Sequence, residues 1–194
     1  MLGFEHNYWY FIKAINPQKC QEIIECASEK IHKAGTTDDS NDQDYRKSTV
    51  AWISDSKIYD LLNPFIHAAN NNSEWNFQWD LNEPCQFTIY NKGDYYQWHN
   101  DIIPRIASSN KNLSNKIRKL SLTLQLTNPS EYEGGDFQFR WLSKKGRLRT
   151  TTVKNLKDIG TIIVFPSFML HRVTPVTRGI RQSLVNWSLG KDFE

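Results

Sequence analysis

The segment LSLTLQL at residues 120–126 alternates leucine with polar residues without a break. Successive side chains of a β-strand point to opposite faces of its sheet, so this alternation predicts a strand with one face in a core. An amphipathic helix would instead space its apolar residues three and four positions apart. The segment therefore indicates that β-structure forms the core around it.

Other short β-rich runs follow one another from about Trp75 onward. Gly, Pro and polar residues that favour turns separate these runs. Many short strands joined by such turns are typical of a β-sandwich or jelly roll. Besides residues 120–126, we predict strands at residues 86–90, 137–141, 161–165 and 183–189.

The N-terminal third of the sequence shows helical patterns instead. One helix is predicted to begin with Asn16 as its cap and Pro17 in its first turn, and to stop at Gly35. Apolar residues recur on one stripe between these signals. A second amphipathic pattern covers residues 58–69, and we expect Pro64 to kink or divide this helix.

With 194 residues the chain has the size of one domain. We expect residues 1–194 to form a single unit, in which helical support over about residues 1–72 covers one face of a β core over about residues 75–190. Two stretches rich in Asp, Asn and Ser, at residues 36–48 and 108–116, are predicted to be exposed loops. Both loops are candidate lids over a functional site.

The composition is that of a globular protein. Hydrophobic residues make up 39% of the chain, and no apolar run approaches the roughly 20 residues that a membrane span requires. The first residues show no export signal, and three cysteines without close pairing indicate free thiols rather than disulfides or a zinc site. We therefore expect a cytoplasmic protein with no membrane partner.

A net charge of +3 and a pI near 8.7 make the chain mildly basic. The densest basic patch that we identify comprises Lys111, Lys116, Arg118 and Lys119. Nucleic-acid binders usually show a stronger basic stripe or a recognisable motif. We interpret this patch as a solvated loop, and nucleic acid is not an expected partner.

His99, Asp101 and His171 form the candidate metal site. His99 and Asp101 are two residues apart, so in an extended segment their side chains point to the same side. His171 follows the apolar run 161–165, and a strand from that part of a sandwich can lie beside the first. Two imidazoles and one carboxylate on one face of an iron ion leave positions open for dioxygen and a chelating cosubstrate.

Arg181 is the candidate residue for binding an anion beside this metal. The sequence from His171 to Arg181 reads as strand, turn and strand. A hairpin turning near residues 176–179 would return Arg181 to the level of His171. Because the guanidinium group is a planar fork that binds a carboxylate through two hydrogen bonds, we predict that Arg181 holds a carboxylate ligand.

Four blocks of sequence stand in a fixed order along the chain. They are QFTIYNKGDYYQWHND at residues 86–101, LSL at 120–122, EYEGGDF at 131–137, and HRVTPVTRGIRQSLVNW at 171–187. Together they resemble the prolyl 4-hydroxylase-like branch of the 2-oxoglutarate/iron(II) dioxygenases, which includes the PKHD-type hydroxylases. The resemblance runs from about Arg46 to the C-terminus.

This resemblance implies a double-stranded β-helix in which His99, Asp101 and His171 bind iron(II). It also implies that Arg181 binds the distal carboxylate of 2-oxoglutarate (2OG). Tyr90 matches the strand tyrosine whose hydroxyl assists that carboxylate, with a core aromatic as the alternative role.

Four further residues are candidates for lining the site. Thr161 and Trp187 are expected in the cosubstrate pocket, and packing within the sheet is the alternative for both. Tyr96 and Trp98 directly precede the first ligand and are candidate substrate-binding residues. The paired glycines of the EYEGGDF block are expected to form a turn.

The reaction implied by the resemblance is a 2OG- and O2-dependent hydroxylation that releases succinate and CO2. Prolyl residues of a peptide or protein are the expected substrate, and ascorbate is a candidate reductant. Nucleic-acid demethylases of this superfamily usually carry a second Arg six residues after the cosubstrate Arg, where this chain has Trp187. Two alternatives stay open, namely hydroxylation of a small molecule such as a free amino acid, and a catalytically silent β-sandwich binding module.

Overall fold

The computed structural model describes residues 6–34, 45–102, 116–143 and 145–191. In chain order, the first elements are β1 Trp9–Phe11, α1 Pro17–Ala34, β2 Arg46–Lys47, β3 Thr49–Ile53, α2 Ser56–Asn72, β4 Leu81–Asn82 and β5 Cys85–Tyr90. They are followed by β6 Tyr95–His99, β7 Ile117–Gln125, β8 Tyr132–Gly134, β9 Phe137–Leu142 and β10 Leu148–Thr152. A 3-10 helix at Lys154–Lys157 then leads to β11 Ile162–Pro166, β12 Leu170–Val173, β13 Val176–Gly179 and β14 Arg181–Gly190.

Two antiparallel sheets form the body of the domain. The large sheet has the order β1-β11-β7-β14-β5-β3, with β4 attached to β14, and the small sheet has the order β10-β9-β12-β6-β2. An apolar cluster joins their inner faces and contains Tyr90 and Phe165 of the large sheet and Phe139 and Val173 of the small one. This architecture confirms the predicted jelly roll.

Strand β7 lies in the middle of the large sheet, between β11 and β14. Its leucines, including Leu120 and Leu124, belong to the core that also contains apolar residues of both helices. Its polar residues Ser121 and Thr123 are equally buried, on the face that looks toward the small sheet. The leucines at residues 120–126 thus face the helices, and the polar residues between them face the space between the two sheets and not solvent.

Both predicted helices are present, and both pack on the large sheet, α1 against β3 and α2 against β11. The Asn16 side chain accepts a hydrogen bond from the backbone N–H of Lys19 at 2.8 Å, which confirms the cap. Helix α2 runs through Pro64 without interruption, so the expectation that this proline divides the helix is wrong. A buried face that includes Leu62 and Ile66 offsets the single helix hydrogen bond that proline removes.

The chain between His171 and Arg181 does not form the predicted hairpin. Strand β12 lies in the small sheet and β14 in the large one, while β13 between them pairs with β8 in a separate two-stranded sheet. The turn residue Gly179 has φ +71°, and a Cβ there would lie 1.9 Å from the carbonyl oxygen of Glu131. The segment is therefore a crossover from one sheet to the other.

The candidate lids at residues 36–48 and 108–116 lie outside the described residues, apart from residues 45–48 and residue 116. Their role stays a prediction. Among the helices that the structure describes, none is long and apolar enough to cross a membrane.

Candidate metal centre and adjoining pocket

The three candidate ligands meet between the two sheets. His99 ends β6 and stands directly opposite His171 on β12, with the two ring centroids 4.1 Å apart. Asp101 follows two residues later, and its carboxylate oxygens lie 3.6 Å from Nε2 of His99 and 3.7 Å from Nε2 of His171. All three side chains are buried, and their ligand atoms lie within 4.8 Å of one another. The geometry suits a single ion.

A backbone carbonyl oxygen fixes each of the two imidazoles in the same tautomer. Nδ1 of His99 lies 2.8 Å from the carbonyl oxygen of Gln97, and Nδ1 of His171 lies 2.8 Å from that of Met169. A carbonyl oxygen only accepts hydrogen bonds, so Nδ1 carries the proton in each ring and Nε2 presents a lone pair. Metal-binding histidines usually have such a partner on the second ring nitrogen.

A hydrogen-bond chain holds the carboxylate of Asp101. Its Oδ2 accepts a bond of 2.7 Å from the hydroxyl of Ser121, which lies 3.0 Å from the hydroxyl of Ser167. The backbone N–H of Asp101 donates to the carbonyl oxygen of Ser167 at 2.8 Å. Ser121 therefore orients the carboxylate of Asp101, and Ser167 holds the backbone of the same residue.

The charge states of the site also suit a cation. Burial lowers the pKa of His99 to about 3, and electrostatic coupling to the neighbouring His171 imidazole contributes to this shift. Burial alone would raise the pKa of Asp101, but His171, His99 and a hydrogen bond from Ser121 together hold it below its ordinary value. At neutral pH the site thus offers a neutral His99 imidazole and an ionised carboxylate, the forms that bind metal.

The ligands line a cavity between the sheets. Arg181 lies in its wall with only 2% of its surface exposed, and its Nη1 is 3.5 Å from the hydroxyl of Ser183. It also hydrogen-bonds the hydroxyl of Tyr132. None of the ion pairs within the described ranges includes Arg181. A buried charge without an acidic partner is costly, so the guanidinium is suited to an anionic ligand in the cavity.

The sequence also matches the model of a known protein family. The model described as the 2OG-Fe(II) oxygenase superfamily matches residues 85–189, more than half of the sequence. The chain belongs to this superfamily. The matched range runs from the start of β5 to the penultimate residue of β14 and contains the three candidate ligands and Arg181.

The chain is similar to PKHD-type hydroxylases. One from Alteromonas mediterranea is 29% identical over 137 residues, which cover 69% of this chain and 56% of that protein. The chain spans between 36% and 56% of the length of the first curated relatives that it matches.

Solved structures share the fold over nearly the whole chain. The 2OG complex of a viral collagen prolyl hydroxylase from Paramecium Bursaria Chlorella virus-1 has a TM-score of 0.69 at 20% identity and covers 96% of this chain and 97% of that chain. A Trichoplax adhaerens prolyl hydroxylase in complex with a hypoxia inducible factor peptide fragment has a TM-score of 0.70 at 13% identity, with 95% and 84% covered. These likenesses confirm the double-stranded β-helix in this member of the superfamily.

The structure brings three of the other predicted site residues to the cavity. Tyr90, Tyr96 and Trp187 line it. Tyr90 stands opposite Arg181 on the neighbouring strand, with the guanidinium 5.5 Å from its ring centre. The ring of Tyr96 stacks on the ring of His99 with centroids 3.5 Å apart.

Two predicted site residues lie elsewhere. Thr161 is not among the residues that line the cavity; its hydroxyl accepts a hydrogen bond from the backbone N–H of Lys13 at 3.1 Å, and its role at the site stays a prediction. Trp98 alternates with His99 along β6 and lies on the other face of the small sheet, with the guanidinium groups of Arg140 and Arg172 at 4.0 and 4.5 Å from its ring centre. It therefore has no place in the cavity.

The paired glycines of the EYEGGDF block do more than form a turn. Gly134 and Gly135 both have positive φ, as a tight turn requires. A Cβ on Gly135 would also lie 2.9 Å from Cδ of Arg181. Glycine at this position thus lets the backbone pass directly against the buried guanidinium.

Arg46 is a cavity residue that the sequence did not reveal as part of the site. It lies on β2, where it donates a hydrogen bond of 2.8 Å to the side chain of Gln86, and its guanidinium is 4.6 Å from the ring centre of Tyr96. The available signal was indirect, because Gln86 and Thr88 are buried polar residues of β5 that face the same cavity.

Proposed function

We propose that this chain is an iron(II)- and 2OG-dependent oxygenase that hydroxylates prolyl residues of a peptide or protein and releases succinate and CO2. The observation that carries the proposal is the convergence of His99, Asp101 and His171 beside the buried Arg181 in one cavity. A catalytically silent binding module has no need for such a set of metal ligands next to an unpaired cation.

His99, Asp101 and His171 would hold the iron. Their orientation before any metal binds, through the carbonyl oxygens of Gln97 and Met169 and the hydroxyl of Ser121, supports this role. When bound, iron(II) supplies the activation of O2 that couples oxidation of 2OG to hydroxylation of a substrate C–H bond. The protein's contribution is to hold three ligands on one side of the ion.

Arg181 would bind the distal carboxylate of 2OG. After the hydrogen bonds to the hydroxyls of Ser183 and Tyr132, its guanidinium still has N–H groups that can bind a ligand. Within the ranges that the structure describes, no acidic side chain pairs with it. Burial raises the pKa of Tyr90, so its hydroxyl stays protonated and can donate a hydrogen bond to the same carboxylate. These groups would place 2OG between Arg181 and the iron.

The character of the cavity supports a prolyl substrate. Apolar and aromatic side chains, including Phe137, Val173 and Tyr96, line it next to the ligands, and these surfaces pack well against a pyrrolidine ring. A proline-rich segment is already extended in solution and loses little entropy on docking. Two of the similar structures are named as prolyl hydroxylases, and one of them holds a peptide fragment.

The test is an oxygenation assay with iron(II), 2OG, O2 and ascorbate as reductant. Proline-containing peptides, free proline and free nucleobases are offered separately, and mass spectrometry follows the gain of one oxygen atom while succinate is measured in parallel. We expect oxidised prolyl peptides, and no succinate from the Asp101→Ala variant. Succinate without any oxidised peptide would reject the prolyl substrate alone, whereas absence of both succinate and iron binding would reject the oxygenase.

A further inference from the structure

The hairpin formed by β9 and β10 is strongly basic. Residues 137–152 contain five Lys or Arg residues and no Asp or Glu, and Lys154 and Lys157 of the 3-10 helix that follows add two more. Within the ranges that the structure describes, Lys157 pairs with Asp136, but Arg147 and Arg149 belong to no ion pair. The hairpin therefore carries positive charge that its own surroundings leave largely unneutralised.

Strand β10 also has an open backbone edge. It is the terminal strand of the small sheet and pairs with β9 on one side, and no other described strand pairs with it. Its first three residues are exposed. An exposed edge of this kind presents N–H and C=O groups that an added strand can bind.

An exposed apolar pair marks one face of the same hairpin. Leu142 and Leu148 stand directly opposite each other and are 61% and 60% exposed. Because side chains alternate along a strand, Arg149 lies on the opposite face of β10 from Leu148. An added strand would thus meet apolar side chains on one face and cationic side chains on the other.

We propose that β10 binds an extended acidic segment of a partner protein as a sixth strand of the small sheet. The segment alternates apolar and acidic residues, so that its apolar side chains cover Leu142 and Leu148 while its carboxylates face Arg147 and Arg149. The open edge favours a polypeptide over a nucleic acid, because only a polypeptide satisfies the backbone groups. A second copy of this chain is disfavoured by its like charge.

This docking surface is separate from the cavity, since neither the exposed leucines nor the two arginines line it. The proposal therefore goes beyond the proposed hydroxylation and does not depend on it. Its test is a binding measurement on the full chain, without iron or 2OG.

The experiment measures fluorescence anisotropy of a labelled peptide that alternates Glu with Val or Leu. We expect binding that weakens about tenfold when the backbone nitrogens along one edge of the peptide are methylated, because the strand hydrogen bonds are lost. The double variant R147E/R149E should also weaken binding about tenfold at low salt. The single charge reversal Lys57→Glu, at an exposed position of helix α2, should change affinity by less than about twofold.

Three outcomes would overturn the proposal. Equal affinity for the methylated peptide would reject strand addition, and this result does not depend on how any protein variant folds. Equal weakening by Lys57→Glu would reduce the effect to general charge attraction. Binding of a single-stranded oligonucleotide without binding of the peptide would assign the surface to nucleic acid.

Discussion

Replacement of Arg181 by Met separates the two roles that a buried arginine can have. Methionine keeps a long unbranched side chain but removes the charge and the fork of donors. Two charge-assisted hydrogen bonds to a carboxylate contribute about 1.5–3 kcal/mol each, so their loss amounts to about 3–6 kcal/mol. Since each 1.4 kcal/mol or so is about a tenfold change, the KM for 2OG should rise about a hundredfold or more.

The same substitution should not weaken the fold. Arg181 is 2% exposed and belongs to no ion pair in the described parts of the chain. Exchange of buried charged groups for apolar ones of similar volume is often neutral or stabilising by about 1–4 kcal/mol. With about 2–4 °C per kcal/mol for a domain of this size, the metal-free variant should unfold no lower than the natural chain and up to several degrees higher.

Succinate formation at a series of 2OG concentrations gives the KM, and thermal unfolding of the metal-free protein gives the Tm. Arg181→Lys is the matched control, because it keeps the charge and loses only the fork, and it should lie between the natural chain and Arg181→Met. An unchanged KM would refute the carboxylate role. A lower Tm together with lost iron binding would assign Arg181 to folding instead.

Three other substitutions test the surroundings of the site. Ser121→Ala should lower iron affinity about 10- to 100-fold with little change in Tm, as judged by metal titration, because the ligand carboxylate loses its orienting bond. The Tm of the metal-free chain should fall as the pH drops from about 6.5 toward 3. The reason is that His99 takes up a proton at about pH 6.5 in the unfolded chain but only near its pKa of about 3 in the folded chain. His99→Gln should lessen this fall, and a variant with the same pH profile as the natural chain would contradict this role of His99. Gly135→Ala should lower the free energy of unfolding by about 1–3 kcal/mol in a denaturant titration and raise the KM for 2OG. Gly146 has a similar φ but open space around it, so the control Gly146→Ala should leave the KM unchanged.

The sequence predicted the strand at residues 120–126 and the grouping of His99 with Asp101 because both depend on local chemistry. Alternation identifies the faces of a strand, and the pair of ligands two residues apart needs only an extended chain. The same rule would have placed Trp98 on the opposite face from His99. Trp98 therefore does not share the cavity with His99, and its candidate role in substrate binding stays a prediction.

Other features depend on which strands are neighbours, and this information is not local. The segment from His171 to Arg181 reads the same whether it forms a hairpin or a crossover, because both need apolar strands around a glycine turn. Thr161 directly precedes β11, and β11 is two strands away from β14 in the large sheet and not beside it. Arg46 reaches the cavity only because β2 pairs with β6, across a sequence separation that no periodicity reveals.

The most direct test of the proposed centre is an oxygen-free titration, first with iron(II) and then with 2OG. We expect that the natural chain binds one iron ion, that Asp101→Ala binds none, and that 2OG binds the iron-loaded chain tightly but the iron-loaded Arg181→Met variant weakly. Iron binding that survives Asp101→Ala, or 2OG binding that is equally strong without iron and without Arg181, would contradict the proposed centre.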